Sequence, residues 1–346
     1  MKFGLLFAYQ NPPGGGIPWH EPYGDMLTCL PRAEALGYSS AFQASHHVQK
    51  DGFCPSPLIA MAGAAAVTEQ MRIGTSVLLV PLYAPLKLAE DVATLDNLSN
   101  GRFVFGVAPG YVSQEFAAHN IPRSERVGRF EEALDLITAA WSGEPFSFEG
   151  KYYRATEAQV TPPTVQRPHP PIWYGVSAAS SLRRAVKRRA VQIMSPRHGI
   201  AELKEHYAAY DAAAQEAGWQ PPERPIIRQV FIAESTARAE KLAAPAIDYL
   251  YRELYGAASA AGDRVLRGDD GQVVEQSDTV AFEGFKQRYI IGDPEFAIAE
   301  IKKYQAELNP SEMICWMHMP GIKGVDVAQS MELFAKHVMP EFDREF

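Results

Sequence analysis

The chain has 346 residues, of which 47% are hydrophobic and 21% charged, and its formal net charge is -8 at pH 7. This composition is typical of a globular protein, and no apolar run reaches the 18 residues expected of a transmembrane helix. The negative charge and the lack of a long basic patch argue against nucleic-acid binding.

The N-terminus begins directly with a strand-like run, so no secretory leader is visible. The three cysteines, Cys29, Cys54 and Cys315, are far apart and form no CxxC pair. This usage suits free thiols in a reducing compartment and indicates no zinc site. We therefore expect a cytoplasmic protein. The densest basic cluster, residues 183–189, is expected to be the solvated face of a helix, with a subunit or phosphate contact as the alternative.

Strand-like and helix-like segments alternate along the chain, eight of each. The predicted strands are Phe3–Tyr9, Ser40–Ala44, Ile73–Val80, Arg102–Val107, Ile172–Gly175, Val191–Ser195, Ile226–Ala233 and Met313–Met319. Short apolar runs with little polar alternation are typical of parallel strands covered on both faces. The clearest predicted helices are Pro85–Leu98, Glu125–Trp141, Ala201–Ala217, Thr236–Tyr255 and Pro294–Leu308.

Eight strand-helix repeats close most simply into an α/β fold of the (β/α)8 TIM-barrel type, as a single domain over 1–346. An open doubly wound sheet is the alternative, but Gly14-Gly15-Gly16 lies in a proline-flanked loop and opens no helix. Two segments exceed a minimal barrel. We interpret 146–163 as a hairpin insertion and 256–288 as a mobile lid insertion, with a disordered loop without function as the alternative for the second.

Polar residues at the predicted carboxyl ends of strands are the candidates for chemistry. His46 and His47 follow the second strand, and an imidazole there could act as a base or hydrogen-bond donor. The loop after the fifth strand opens a helix with small hydroxyl residues, which suits either anion binding or ordinary capping. No H-E-x-x-H motif is present, so we expect no catalytic metal.

The chain resembles the bacterial luciferase-like flavin-dependent monooxygenases over nearly its full length. The resemblance rests on the order and spacing of several motifs rather than on one stretch. These are Ala44-Ser45-His46-His47, Ile73-Gly74-Thr75-Ser76-Val77, Leu95-Asp96-Asn97-Leu98-Ser99-Asn100-Gly101-Arg102, Arg126 with Arg129-Phe130-Glu131-Glu132, Glu149-Gly150-Lys151-Tyr152-Tyr153 and Gly292-Asp293-Pro294-Glu295.

The resemblance implies a barrel that binds FMN at the carboxyl ends of its strands. A separate flavin reductase would supply the reduced FMN, which reacts with molecular oxygen to a C4a-peroxyflavin. His46 matches the catalytic histidine, and a non-proline cis peptide is implied at Ser76-Val77. The implied cofactor-binding residues are Thr75, Ser76, Val77, Ala108, Arg126, Gly175, Ser177, Ala178 and Ser181. Ser45 and Ala108-Pro109 depart from the family pattern.

The implied activity is a two-component monooxygenase that oxygenates a small apolar organic substrate by hydroxylation or Baeyer-Villiger insertion. An F420-dependent oxidoreductase on the same barrel and a flavin-binding protein without turnover are the alternatives. The resemblance also implies a homodimer, with the second and third helices as its interface.

Overall fold

The structure is a computed structural model that describes residues 1–176, 178–256 and 281–342. Its strands are β1 (Lys2–Phe7), β2 (Ser40–Gln43), β3 (Arg72–Thr75), β4 (Leu78–Leu79), β5 (Phe103–Ala108), β6 (Phe146–Glu149), β7 (Arg154–Ala158), β8 (Ile172–Gly175), β9 (Val191–Ile193), β10 (Pro225–Ile232), β11 (Ile290–Gly292) and β12 (Glu312–Trp316). Its α-helices are α1 (Glu21–Ala35), α2 (Pro57–Val67), α3 (Pro85–Leu98), α4 (Ser113–Ala118), α5 (Arg126–Ala140), α6 (Ala179–Lys187), α7 (Ile200–Glu216), α8 (Thr236–Leu250), α9 (Ala281–Gly284), α10 (Pro294–Leu308) and α11 (Gly324–His337).

The main sheet is parallel and follows the order β11-β10-β12-β1-β2-β3-β5-β8-β9. Residues of β9 and β10 come within 8 Å of one another, which brings the two sides of the curled sheet together. All eight predicted strands lie on this path, with helices between them, so the predicted barrel is confirmed. The short strand β11, which pairs with β10, was not predicted.

The third strand departs from the predicted continuous run Ile73–Val80. The peptide bond between Ser76 and Val77 is cis, and the chain resumes pairing only at β4, which bonds to β5. Close packing fixes this region: a Cβ on Gly106 would lie 1.7 Å from the Thr75 carbonyl oxygen. Glycine at 106 therefore lets the third strand press against β5 just before the cis bond.

Residues from three of the motifs that carry the resemblance stabilise the scaffold. The buried carboxylate of Asp96 accepts from the backbone and side-chain amides of Gln166, at 3.0 and 2.7 Å. The Glu132 carboxylate accepts three backbone N–H groups in the turn between β6 and β7, from residues 151–153. A Cβ on Gly150 would lie 2.1 Å from that carboxylate, so the turn needs glycine there.

The basic cluster at 183–189 is only partly a solvated face. Arg188 lies 2.9 Å from the Glu131 carboxylate on α5, and Arg184 donates to the Tyr174 hydroxyl at 3.2 Å. The prediction was therefore wrong for these two arginines, which connect α6 and its C-terminal end to β8 and α5. The other three basic residues of the cluster are exposed.

Most of the predicted insertion at 256–288 lies outside the described residues. On either side of the gap, aromatic rings pack together: Tyr251, in a π-helical turn after α8, stacks on Phe285 at 4.8 Å. Within residues 1–176, 178–256 and 281–342, no helix has the length and apolar character needed to cross a bilayer.

Candidate active site

His46 is held by a buried carboxylate at the carboxyl edge of the barrel. It lies in the loop after β2, and its Nδ1 is 2.8 Å from Glu115 Oε1 on α4. The same oxygen accepts the His47 backbone N–H at 2.8 Å, and the Glu115 side chain is fully buried. Because the carboxylate binds the Nδ1 proton, a neutral His46 ring keeps its lone pair on Nε2.

Sequence reasoning missed Glu115. It lies 69 positions from His46 along the chain, on a helix of six residues. Its position soon after β5 could have indicated it, since the loops at the carboxyl ends of neighbouring strands meet at one edge of the barrel.

Aromatic rings surround His46. The Phe53 ring lies edge-on at 4.9 Å between centroids, and the Tyr111 ring lies at 5.8 Å. Trp316, at the end of β12, packs on Phe53 at 6.2 Å. The His46 side chain is 12% exposed. Apolar surroundings of this kind keep water from a reacting group and strengthen the interaction with Glu115.

His47 has a different environment from its neighbour. Burial lowers the pKa of its ring, and the Glu115 charge opposes that shift. Its ring packs against the rings of His119 and Tyr83, with centroids at 5.1 and 6.1 Å. Only His46 therefore meets the carboxylate through its ring.

The predicted cis peptide lies beside this pair. Ser45 Oγ donates to the Val77 carbonyl oxygen at 2.9 Å, which links the histidine loop to the cis bond. Ser76 Oγ is buried and has no hydrogen-bond partner among the described residues. The Thr75 hydroxyl, by contrast, donates to the Gly106 carbonyl at 2.7 Å.

Three of the predicted cofactor residues come together on neighbouring strands. A Cβ built on Gly175 would lie 3.0 Å from the Ala108 Cβ and 3.8 Å from Val77 Cγ2. Small residues at 108 and 175 thus leave backbone exposed beside the cis peptide, as a flat ring system approaching closely would require.

The predicted phosphate loop opens α6. Ser177 lies outside the described residues, and Ala178 precedes the first helical residue. Ser181 Oγ accepts from the Ala178 N–H at 3.1 Å and donates to the Ala178 carbonyl at 2.7 Å. Arg126, the first residue of α5, is half-buried and donates to the Arg123 carbonyl at 3.0 Å. Ser181 therefore caps the start of α6, and the positive end of the α6 dipole still points to the loop before the helix.

A cavity of about 770 Å³ lies elsewhere, against α7 and the loop that leads to β10. Its walls include Tyr207, Trp219 and Arg224, and none of the predicted site residues line it. Arg224 there is paired with Asp211. Within the described ranges, no group of three or more His, Cys, Asp or Glu side chains could hold a metal ion.

A parallel barrel with a histidine–carboxylate pair beside a cis peptide, at the carboxyl ends of its strands, defines the chain as an α/β-barrel enzyme. More specifically, it belongs to the luciferase-like monooxygenase family, whose sequence model matches residues 1–308.

The chain is also similar to known proteins over nearly its full length. The oxygenase component of a flavin-dependent trigonelline monooxygenase from Acinetobacter baylyi is 25% identical and aligns over 99% of this chain and 96% of its own. The oxygenating constituent of 3,6-diketocamphane monooxygenase from Pseudomonas putida, solved with FMN, has a TM-score of 0.79 at 23% identity, covering 98% of both chains. An F420-dependent secondary alcohol dehydrogenase has a TM-score of 0.76 at 18% identity, covering 99% of both chains. The last two likenesses concern the fold alone.

Proposed function

We propose that this chain is the oxygenase component of a two-component, FMN-dependent monooxygenase. A flavin reductase would supply reduced FMN, and the chain would use molecular oxygen to hydroxylate a small apolar organic molecule or insert oxygen beside its carbonyl. The observation that carries the proposal is the His46–Glu115 pair, joined through Ser45 to the Ser76–Val77 cis peptide.

The residues around the cis peptide fit a flavin ring. Val77, Ala108 and Gly175 present small groups and backbone, and the buried Ser76 hydroxyl has a spare donor for a ligand. The start of α6, with Ser177, Ala178 and Ser181, would hold the phosphate, and Arg126 would add charge. When bound, reduced FMN supplies the reaction with oxygen.

His46 would move a proton at Nε2, as the base or as the donor to a developing oxyanion. Glu115 holds Nδ1, which fixes the orientation of the ring and leaves Nε2 for the proton transfer. The rings of Phe53 and Tyr111 exclude water beside it. Positioned acid–base groups of this kind contribute about 10²–10⁴-fold to a rate.

The purified protein with a flavin reductase and NAD(P)H tests the proposal. We expect FMN to raise the melting temperature, and labelled oxygen from O2 to appear in an organic product. A turnover that persists without oxygen and requires F420 would favour the dehydrogenase alternative. Flavin binding with no product from any substrate class would favour a flavin-binding protein without turnover.

We further propose a cytoplasmic homodimer that uses α2 and α3. Ile59 on α2 and Leu98 on α3 are 76% and 61% exposed. Exposed apolar residues of this kind are typical of a subunit interface seen in a single chain. Sedimentation of the wild type and of Ile59→Glu tests this interface. A wild type that sediments as a monomer at micromolar concentration would contradict it.

A further inference from the structure

Gln229 carries a buried amide inside the barrel. Its side chain is fully buried on β10, and neither its Oε1 nor its Nε2 has a hydrogen-bond partner among the described residues. A buried amide without partners is costly, so native proteins usually pair such groups with protein, water or ligand. A carboxamide offers a donor and an acceptor side by side.

Strand alternation places Gln229 inside the barrel. The preceding residue, Arg228, lies with its guanidinium 4.8 Å from the Tyr304 ring on α10, outside the sheet. Successive side chains of a strand point to opposite faces, so Gln229 points to the interior.

The register places Gln229 level with the aromatic wall of the site. Gln229 pairs with Trp316 in the parallel ladder between β10 and β12. The Trp316 ring packs on Phe53, which packs on His46. In the order of strands, β10 lies four positions from β3, which places Gln229 on the wall of the barrel opposite the strand that leads to the cis peptide.

We propose that Gln229 binds a ring with a lactam-type edge, in which an N–H group adjoins a carbonyl, inside the barrel mouth. Its amide donates to the carbonyl and accepts from the N–H, while the neighbouring aromatic rings cover the faces of the ligand. This rests on the proposed function. Two sources offer that chemistry: the N3–H and C4 carbonyl of the flavin, and a heterocyclic substrate beside it.

A second buried glutamine provides a matched control. Gln192 on β9 is 1% exposed, and both its amide atoms likewise have no partner among the described residues. It pairs in register with Tyr174, whose hydroxyl donates to Glu131 on α5 at 2.5 Å. Gln192 therefore faces the helices rather than the barrel interior.

The test compares Gln229→Leu, Gln192→Leu and the wild type. Each substitution removes an unpaired buried amide, so both variants should fold, with melting temperatures equal to or a few degrees above the wild type without ligand. Fluorescence titrations then measure the Kd of FMN and of N3-methyl FMN. If the flavin is the ligand, the wild type and Gln192→Leu bind FMN about tenfold more tightly than N3-methyl FMN, and Gln229→Leu does not distinguish them.

If the substrate is the ligand, FMN binds all three proteins equally. In that case 2-pyridone raises the melting temperature of the wild type and Gln192→Leu but not of Gln229→Leu, and N-methyl-2-pyridone raises none. Equal FMN affinities together with no selective effect of 2-pyridone would overturn the role of Gln229. A wild type that binds no FMN would instead contradict the proposed function, and 2-pyridone titrations of the unloaded protein would still test Gln229.

Discussion

At the amino end of the barrel both oxygens of the buried Glu312 carboxylate are paired, whereas at the carboxyl end the buried Glu115 carboxylate has partners on one oxygen only within the described part of the chain. Glu312 accepts from the hydroxyls of Ser39 and Ser40 and from the Arg72 guanidinium, each at 2.6 Å. Glu115 uses one oxygen for His46 and the His47 backbone, and its other oxygen has no partner among the described residues.

The same contrast holds for neutral groups. At the carboxyl end, the Ser76 hydroxyl and both ring nitrogens of His318 are buried without a partner in the described part of the chain. At the amino end, the Trp173 indole N–H donates to Glu223 at 2.8 Å. A buried polar atom without a protein partner requires an explanation, and a bound ligand at the carboxyl end would complete these atoms. One end of the barrel therefore stabilises the fold, and the other is available for chemistry.

The largest effect is expected from His46→Ala, which removes the ring that Glu115 holds. Incorporation of labelled oxygen into the organic substrate should fall about 10²–10⁴-fold, because a positioned proton carrier is lost. The FMN affinity should change little. Glu115→Gln keeps an acceptor for Nδ1 but removes the charge, so its loss should be smaller.

The exposed His337, at the end of α11, provides the control. His337→Ala should keep the wild-type rate. If the His46→Ala variant oxygenates its substrate at the wild-type rate, His46 has no catalytic role and the contrast between the two ends of the barrel is lost.

Glu312→Ala tests the amino end. It leaves Arg72 with Glu223 alone and leaves the buried Ser40 hydroxyl without its acceptor, while the half-buried Ser39 hydroxyl keeps only the Phe3 carbonyl. We expect a loss of about 3–5 kcal/mol in the free energy of unfolding, with an unchanged oxygenation rate per folded molecule. Urea unfolding measures the first quantity.

The exposed pair Lys204–Glu307 gives the comparison for Glu312. Glu307→Ala should cost less than about 1 kcal/mol. Equal losses for the two substitutions would show that Glu312 does not stabilise the amino end more than a surface pair does.

Periodicity predicted the barrel because each strand is covered on both faces and is therefore an apolar run. It also gave Pro85–Leu98 and Pro294–Leu308 with the observed bounds, since Asp293 and the prolines mark the helix starts. The break at Ser76–Val77 came only from the resemblance. Nothing in the local apolar pattern distinguishes a cis bond from a continuous strand.

The site was predictable in part. His46 stood out as a titratable ring directly after a strand, and the resemblance supplied the residues around the cis peptide. Glu115 and Gln229 were missed for the same physical reason. Their roles depend on which distant residues the closed barrel brings against them, and hydrophobic spacing carries no information on such contacts.

A smaller effect is expected from replacement of His318, whose buried ring makes the free energy of unfolding depend on pH. Burial lowers its pKa from 6.5 to about 4, so the folded state holds the ring neutral while the unfolded state binds a proton. The unfolded state therefore binds more protons between these values, and stability falls as the pH drops from about 6.5 to about 4. The contribution is on the order of 3 kcal/mol.

His318→Asn should remove that contribution and flatten the acid limb of the stability curve measured by urea unfolding from pH 7 to pH 4. His47, whose pKa is also lowered by burial, contributes in the same direction and remains in the variant. An unchanged acid limb would show that the His318 ring is hydrated in the folded state, so that the carboxyl end is less dry than its burial indicates.

The smallest effects come from a pair of matched serines, one at each end. Ser40 Oγ donates to Glu312 at 2.6 Å, whereas Ser76 Oγ donates to no described residue. Ser40→Ala should cost about 1.5–3 kcal/mol in the free energy of unfolding, because a hydrogen bond to a buried charge is lost. Ser76→Ala should leave stability unchanged or raise it slightly, because only an unpaired hydroxyl is removed.

The effects of the two serine substitutions on FMN affinity should have the opposite order. Ser76→Ala weakens FMN binding several-fold if the hydroxyl completes its bonding on the ligand, and Ser40→Ala leaves FMN binding unchanged. Equal stability losses in the two variants, with equal FMN affinities, would mean that Ser76 is a structural residue like Ser40, and the difference between the two ends would then rest on Glu115 and His46 alone.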